Sequence, residues 1–145
     1  MKNLLFLSAI LFSFSSIAQT SAEDRPVRTC EVRPLLEDCA GEEGHAGVLC
    51  TQEAILAHVL GVVVYPKAAI DAGISGKVYV AFVVEIDGAV GTVRIMRGLG
   101  ESDGAQALSN AAIDAVKSLP NFSPGLEDGI PVRVEFVVPV SFVLD

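Results

Sequence analysis

Two runs of alternating side chains, joined by an Asp-Gly pair, limit most strongly how this chain can fold. The run "KVYVAFVVEI" (77–86) places apolar side chains at every second position, and "AVGTVRIMR" (89–97) follows directly after Asp87 and Gly88. Period-two alternation is typical of a β-strand with one buried face. Asp-Gly is among the strongest signals for a hairpin turn. The sequence therefore predicts an antiparallel hairpin over these two runs.

A third strand is predicted near the C-terminus, and it contains a proline. One alternating set of its side chains is predicted to face the core: Val132, Val134, Phe136, Val138, Val140 and Phe142. Pro139 belongs to the other set, together with Arg133, Glu135, Val137 and Ser141. Because proline has no N–H and hydrogen-bonding sides alternate along a strand, the side carrying Pro139 should face away from the neighbouring strand. We therefore predict an open edge, where a partner strand docks mainly alongside 133–137.

Helical patterns fill most of the remaining chain. Thr51 is predicted to cap a helix over 51–63, and Pro66 begins a short helix that Gly73 closes. Residues 105–119 form a third amphipathic helix after a cap at Ser102 or Asp103, and 121–131 is turn chemistry throughout. These elements predict an α+β fold: a three-stranded antiparallel sheet with helices packed on one face and the last strand at an open edge.

The N-terminal segment is predicted to be a targeting signal followed by an irregular arm. Lys2, an apolar run over 4–17 and a small-x-small motif ending at Ala18 are typical of a cleaved signal peptide, which we assign to 1–18. An uncleaved membrane anchor is the alternative. Residues 19–50 then show no sustained period. The formal net charge of −8 argues against nucleic acid as a partner, because phosphate binding needs clustered lysine or arginine.

The three cysteines follow the predicted signal, so an exported chain is expected to form a disulfide. Their spacing leaves all three pairings open. A zinc site from Cys30, Cys39, His45 and Cys50 lacks the close C-x₂₋₄-C pair that such sites usually show. A cysteine nucleophile, Cys30 with His45 or His58, has no supporting local motif. We therefore expect no catalytic residues, metal or cofactor, and do not expect an enzyme.

A specific pattern of residues runs from Tyr65 to Phe142. It begins with "YPKAAIDAGISGKVYVAFVVEIDGAV" and ends with "LPNFSPG" followed by the last strand. Its fixed positions in this chain are Tyr65, Pro66, Gly73, Gly76, Asp87, Gly88, Phe122, Pro124 and Gly125. This pattern resembles the C-terminal domain of TonB energy transducers, and the resemblance assigns 51–145 to such a domain.

The resemblance implies a periplasmic protein of a Gram-negative envelope that binds partners by β-strand addition. The implied partner is an outer-membrane TonB-dependent transporter or a similar envelope protein, and the implied process is transmembrane transport. The implied binding residues are those of the last strand: Arg133, Val134, Glu135, Phe136, Val137 and Pro139. An ExbB–ExbD-type motor is expected as a partner only if the chain is anchored in the inner membrane. The alternative is an accessory domain whose open edge pairs with itself in a homodimer.

The resemblance also extends to the cysteines. Many envelope proteins of this family carry a similar cysteine-bracketed segment before the domain, here residues 39–50 within the arm. This similarity favours a disulfide between Cys39 and Cys50 and leaves Cys30 without a partner.

Overall fold

The computed structural model describes residues 25–144; the predicted signal peptide and the start of the arm lie outside them. After a short 3-10 helix at Glu37–Cys39, the elements are α1 (Gly44–Val62), α2 (Lys67–Asp71), β1 (Gly76–Val84), β2 (Val90–Arg97), α3 (Asp103–Lys117), β3 (Gly125–Glu127), β4 (Ile130–Val132) and β5 (Val134–Phe142). No helix among the described residues is both long and apolar enough to cross a membrane.

The main sheet is antiparallel, with the strand order β2–β1–β5. Strand β5 pairs with β1 without interruption, from Val134 opposite Val84 to Phe142 opposite Gly76. The last strand therefore lies at an edge of the sheet, and the predicted α+β fold is confirmed.

The core lies between the helices and one face of this sheet. In β1 the core-facing side chains of Val78, Val80, Phe82 and Val84 are fully buried. They pack against side chains from all three helices: Ile55, Val59, Ala69, Leu108, Ala112, Ala115 and Val116. The predicted strand face and helix stripes thus meet in one core. Ile86, expected on the same face, lies beyond the end of β1 and is exposed.

The opposite face of β1 is also shielded, although no helix of the described residues, 25–144, is part of the core cluster on that side. Ala81 and Val83 are buried there, with Arg94 of β2 and Glu135 of β5 as neighbours in the register. Arg94 Nη2 lies 2.7 Å from Glu135 Oε1, so this ion pair joins the two outer strands across β1. Two long side chains thereby cover apolar atoms of the central strand with their aliphatic stems.

The first helix begins earlier than the sequence predicts. Residues 44–50, expected as part of a loop, form the first turns of α1, and Thr51 is not its cap. Gly47 is buried, and a Cβ at that position would lie 2.9 Å from Leu35 Cδ1. Packing of the arm against this turn, together with the bond from Cys50 to Cys39, outweighs the low helix propensity of the glycines.

The segment 121–131 was predicted to be turns throughout, and this prediction was wrong. It contains a second hairpin, in which β3 and β4 pair in an antiparallel two-stranded sheet. Asp128 and Gly129 form its two-residue turn, both with positive φ. Asp-Gly is the favoured sequence for such a turn, so the signal was present but the flanking strands have only three residues each.

Candidate functional site

The candidate site is the outer edge of β5, the side that faces away from β1. The backbone N–H of Glu135 and the carbonyl of Arg133 point outward, because both are bonded to a residue outside the main sheet. Since these directions alternate along a strand, Val137, Pro139 and Ser141 also present their backbone groups outward. Pro139 therefore lies on the outer side, where its missing N–H removes nothing from the pairing with β1.

The start of this edge is occupied by the arm. Val27 donates its N–H to the carbonyl of Arg133 at 2.9 Å, and its own carbonyl accepts from the N–H of Glu135 at 2.8 Å. The result is an isolated parallel bridge between Val27 and Val134. The pairing prediction for 133–137 is not tested by this contact, but two of the backbone groups it requires are already bonded within the chain.

Beyond that bridge the edge is open. Within residues 25–144 no backbone partner is bonded to the N–H of Val137. The Val137 side chain is 43% exposed on the face opposite the core. An unpaired strand edge of this kind is a template for another extended chain.

A groove of about 280 Å³ runs beside this open edge. One wall is β5 from Glu135 to Pro139, and the other is α1, through Gln52, Ile55 and Leu56. Arg33 of the arm also lines the groove, with its guanidinium carbon 5.5 Å from the centre of the Phe136 ring. That ring is held in the core by stacking on Phe82 at 5.4 Å.

Charged side chains near the start of β5 are paired. Arg133 donates from Nε to Glu85 Oε2 at 2.7 Å and from Nη2 to Glu85 Oε1 at 3.1 Å, a two-point contact. Glu135 is held by Arg94, as described above. These side chains therefore fix the strand within the sheet, so the predicted binding residues have different roles: Phe136 and Val134 pack inward, whereas Val137 and Pro139 face solvent.

The contribution of the arm and α1 to this site was not predicted from the sequence. The arm was expected to be irregular, and residues 25–36 contain no helix, but they are anchored to the domain at several points. Its residues Val32 and Leu36 form isolated bridges with Leu126 and Phe122. The amide of Leu36 also donates to the buried Thr51 Oγ1 at 3.1 Å. The available signal was the alternation of apolar residues along the arm, which is typical of an extended, half-buried segment, but the prolines interrupt this alternation.

The residues of the family pattern shape the fold around this edge. Tyr65 donates its hydroxyl to the carbonyl of Ile74 and packs edge-on against Phe142. Gly88 bonds Phe122 through its carbonyl, which ties the hairpin turn to the segment before β3. The other residues of the family pattern lie at the ends of secondary-structure elements or in a turn. Pro66 precedes α2, Gly73 follows α2, and Gly76 begins β1. Asp87 accepts a hydrogen bond from the amide of Ala89 in the turn between β1 and β2, and Pro124 precedes β3.

Gly125 is a point of close approach between the arm and the domain. A Cβ at this position would lie 2.6 Å from Val134 Cγ2 and 3.1 Å from Cys30 Sγ. The absence of a side chain at Gly125 therefore allows the arm to pass directly beside the start of β5.

The cysteines are arranged as the resemblance implies. Cys39 and Cys50 form a disulfide that joins the 3-10 helix to α1, with Cα atoms 5.8 Å apart. This bond uses two of the four ligands of the zinc set considered above, and no cluster of potential metal ligands occurs within residues 25–144.

Cys30 is not in a disulfide. Burial raises the pKa of its thiol, and the nearby charge of Arg33 opposes this rise. His58 lies 2.9 Å from Ser118 Oγ, an ordinary helix-to-helix contact.

Residues 62–144 match the model of the family described as Gram-negative bacterial TonB protein C-terminal. The chain belongs to this family. The matched segment includes β1, β2, α3 and β5, and so contains the whole main sheet with its outer edge. Most of α1 and the whole described arm precede it.

Curated relatives include Protein TonB of Helicobacter pylori strain 26695, which is 30% identical over 80 residues (55% of this chain and 25% of the relative). Protein TonB of Vibrio cholerae is 33% identical over 81 residues, covering 56% of this chain and 31% of the relative. The chain thus spans between a quarter and a third of the length of these relatives.

Similar solved structures include two NMR solution structures of the Helicobacter pylori TonB C-terminal domain. One is 26% identical, with a TM-score of 0.41, over 64% of this chain and 95% of that one. The other is 24% identical, with a TM-score of 0.45, over 73% of this chain and 89% of that one.

Proposed function

We propose that the protein is a periplasmic TonB-like binding module that engages an outer-membrane TonB-dependent transporter, or a similar envelope protein, by β-strand addition. In this role it serves transmembrane transport as a binding protein and not as an enzyme. The observation that carries the proposal is the outer edge of β5, which has no backbone partner within residues 25–144 from Val137 onward, in a member of the TonB C-terminal family.

The physical argument is that an added strand gains backbone hydrogen bonds at little cost to the domain. Val137 offers an N–H and a carbonyl that have no backbone partner within residues 25–144, and Ser141 follows on the same side. The strand that presents them is held rigidly, because β5 pairs with β1 along its full length. A docking strand therefore meets a prearranged edge, which reduces the ordering cost of binding.

The test is site-specific photocrosslinking in Gram-negative cells that express the full chain. A photoreactive phenylalanine analogue replaces Val137, and a matched control places it at Val64, which is 74% exposed on the connection between α1 and α2. We expect crosslinks from position 137 to the N-terminal periplasmic segment of an outer-membrane transporter, identified by mass spectrometry. Position 64 should give none.

Two results would refute the proposal. If position 137 crosslinks to no envelope protein while the protein is folded and exported, strand addition to a partner is wrong. If it crosslinks to a second copy of the same chain and to nothing else, the edge serves self-pairing, which is the homodimer alternative.

A further inference from the structure

The segment before the family match builds part of the binding site. Arg33, Gln52, Ile55 and Leu56 all line the groove beside β5, and all precede residue 62, where the match begins. The arm also bonds to the edge itself through Val27. In this chain the edge is therefore one wall of a groove whose other wall and upstream end come from residues 25–61.

We propose that residues 25–61 restrict the site to a short extended peptide that pairs with β5 from Val137 onward and places an aliphatic side chain against Leu56. This inference deepens the proposed function and rests on it only for the use of the β5 edge.

The upstream limit follows from the hydrogen bonds of Val27. The carbonyl of Arg133 and the N–H of Glu135, which both point outward, are bonded to that one residue. A partner strand that extended to these positions would have to displace Val27, and the arm is held nearby by Val32 and Leu36. Pairing that begins at Val137 meets no such competition.

The aliphatic preference follows from the exposed face of α1. Leu49, Leu56 and Leu60 are exposed at helical spacing, whereas Ile55 and Val59 face the core. This helix is apolar on two sides, and a soluble helix normally exposes a polar face. Of the three exposed leucines, Leu56 alone lines the groove, so it is placed to contact the side chains of an added strand that point toward the helices.

We expect the partner to bind as an extended backbone, because an extended residue of the arm, Val27, already pairs with the same edge. Val27 pairs there through its main chain alone, with its own side chain exposed. The groove continues along the same edge past that bridge, and its walls combine apolar side chains with the unpaired backbone groups of Val137. An extended peptide satisfies both features, whereas a helix would leave the edge unpaired.

The test begins with random 12-residue peptides displayed on phage and selected against the full-length protein, so that it does not depend on knowing the natural partner. The tightest binder is synthesised and titrated by calorimetry. Leu56→Glu should weaken binding about tenfold or more, because it would bury a charge against the peptide. Leu60→Glu is the matched control on the same helix, 55% exposed and outside the groove, and should change binding less than about twofold.

The upstream limit is tested with Val27→Pro, which removes the N–H that bonds Arg133, against Val27→Ala, which keeps it. Changes in backbone amide chemical shifts on adding the peptide, measured by NMR, should start at Val137 in the wild type. Val27→Pro leaves the arm attached to β5 by one bond instead of two, since its carbonyl still accepts from Glu135, so the peptide should displace the arm more readily and the changes should extend to Glu135. Equal effects of the two leucine variants, or wild-type shifts already at Glu135, would overturn the inference. A selected peptide that passes these tests but has no counterpart in any transporter would instead contradict the proposed function.

Discussion

Gly88→Ala and Gly129→Ala give the sharpest test of how the two hairpins contribute to stability, because both glycines follow an aspartate in a turn. Gly88 has φ 86° and Gly129 has φ 75°, so alanine at either position costs about 1–2 kcal/mol in backbone strain. Their surroundings differ. A Cβ on Gly129 would meet nothing within 4 Å, whereas a Cβ on Gly88 would lie 1.9 Å from the carbonyl oxygen of Phe122.

The clash at Gly88 must displace the turn from the segment before β3. That movement breaks the 2.8 Å bond from the Phe122 amide to the Gly88 carbonyl, and leaving such buried groups unpaired costs a further 1–3 kcal/mol, roughly. We therefore expect Gly88→Ala to lower the free energy of unfolding by roughly 2–5 kcal/mol in total, against about 1–2 for Gly129→Ala.

Urea denaturation followed by circular dichroism measures both changes. The two variants share the strain cost and differ by the 1–3 kcal/mol term, roughly. With a slope of about 2 kcal/mol per molar urea, the midpoint for Gly88→Ala should therefore fall about 0.5–1.5 M below that for Gly129→Ala. Similar midpoints for the two variants would show that the contact with Phe122 contributes nothing and would refute this account of the turn.

Three further predictions concern the arm and the cysteines. Thr51→Val should lower the free energy of unfolding by about 1–3 kcal/mol, since the buried amide of Leu36 loses its acceptor, and Thr51→Ser should restore most of it in the same denaturation assay. Reducing the bond between Cys39 and Cys50 with dithiothreitol should cost about 2–3 kcal/mol by the chain-entropy relation, while the circular dichroism spectrum in the absence of urea stays native. Alkylation of Cys30 by iodoacetamide should reach half its maximal rate at a higher pH in the folded protein than in the urea-unfolded chain, because burial raises the pKa of the thiol in the folded state; equal midpoints would contradict this.

The main sheet could be predicted because its signals are local. Alternation along β1, the Asp87-Gly88 turn and the stripe of α3 each span one element, and each element agrees with the fold. Pro139 carried information of longer range, since a missing N–H indicates which side of β5 is unpaired. The edge position of that strand followed from one residue.

The failures have a common physical cause, which is tertiary packing of short or glycine-containing segments. Residues 44–50 are helical because the arm and the disulfide hold them, and neither contact is visible in a window of a few residues. The bridge of Val27 to β5 joins positions more than a hundred residues apart. Hydrophobic period and turn signals do not report contacts of this range.

Stability and partner binding should be coupled through the segment that precedes the family match. Leu36, Ile55 and Val59 supply core contacts from this segment, and Val27 and Leu56 from the same segment border the β5 edge. Loosening the arm would therefore have two opposing effects: it would weaken the core, and it would break the bonds of Val27 to the Arg133 carbonyl and the Glu135 N–H. A change at Thr51 should mainly lower the stability of the core, because its hydroxyl anchors Leu36. A change at Val27 should mainly make the β5 edge more accessible to a partner, because Val27 is bonded to that edge. Because Leu36 and Val27 lie on different parts of the arm, the two effects can be separated by single substitutions.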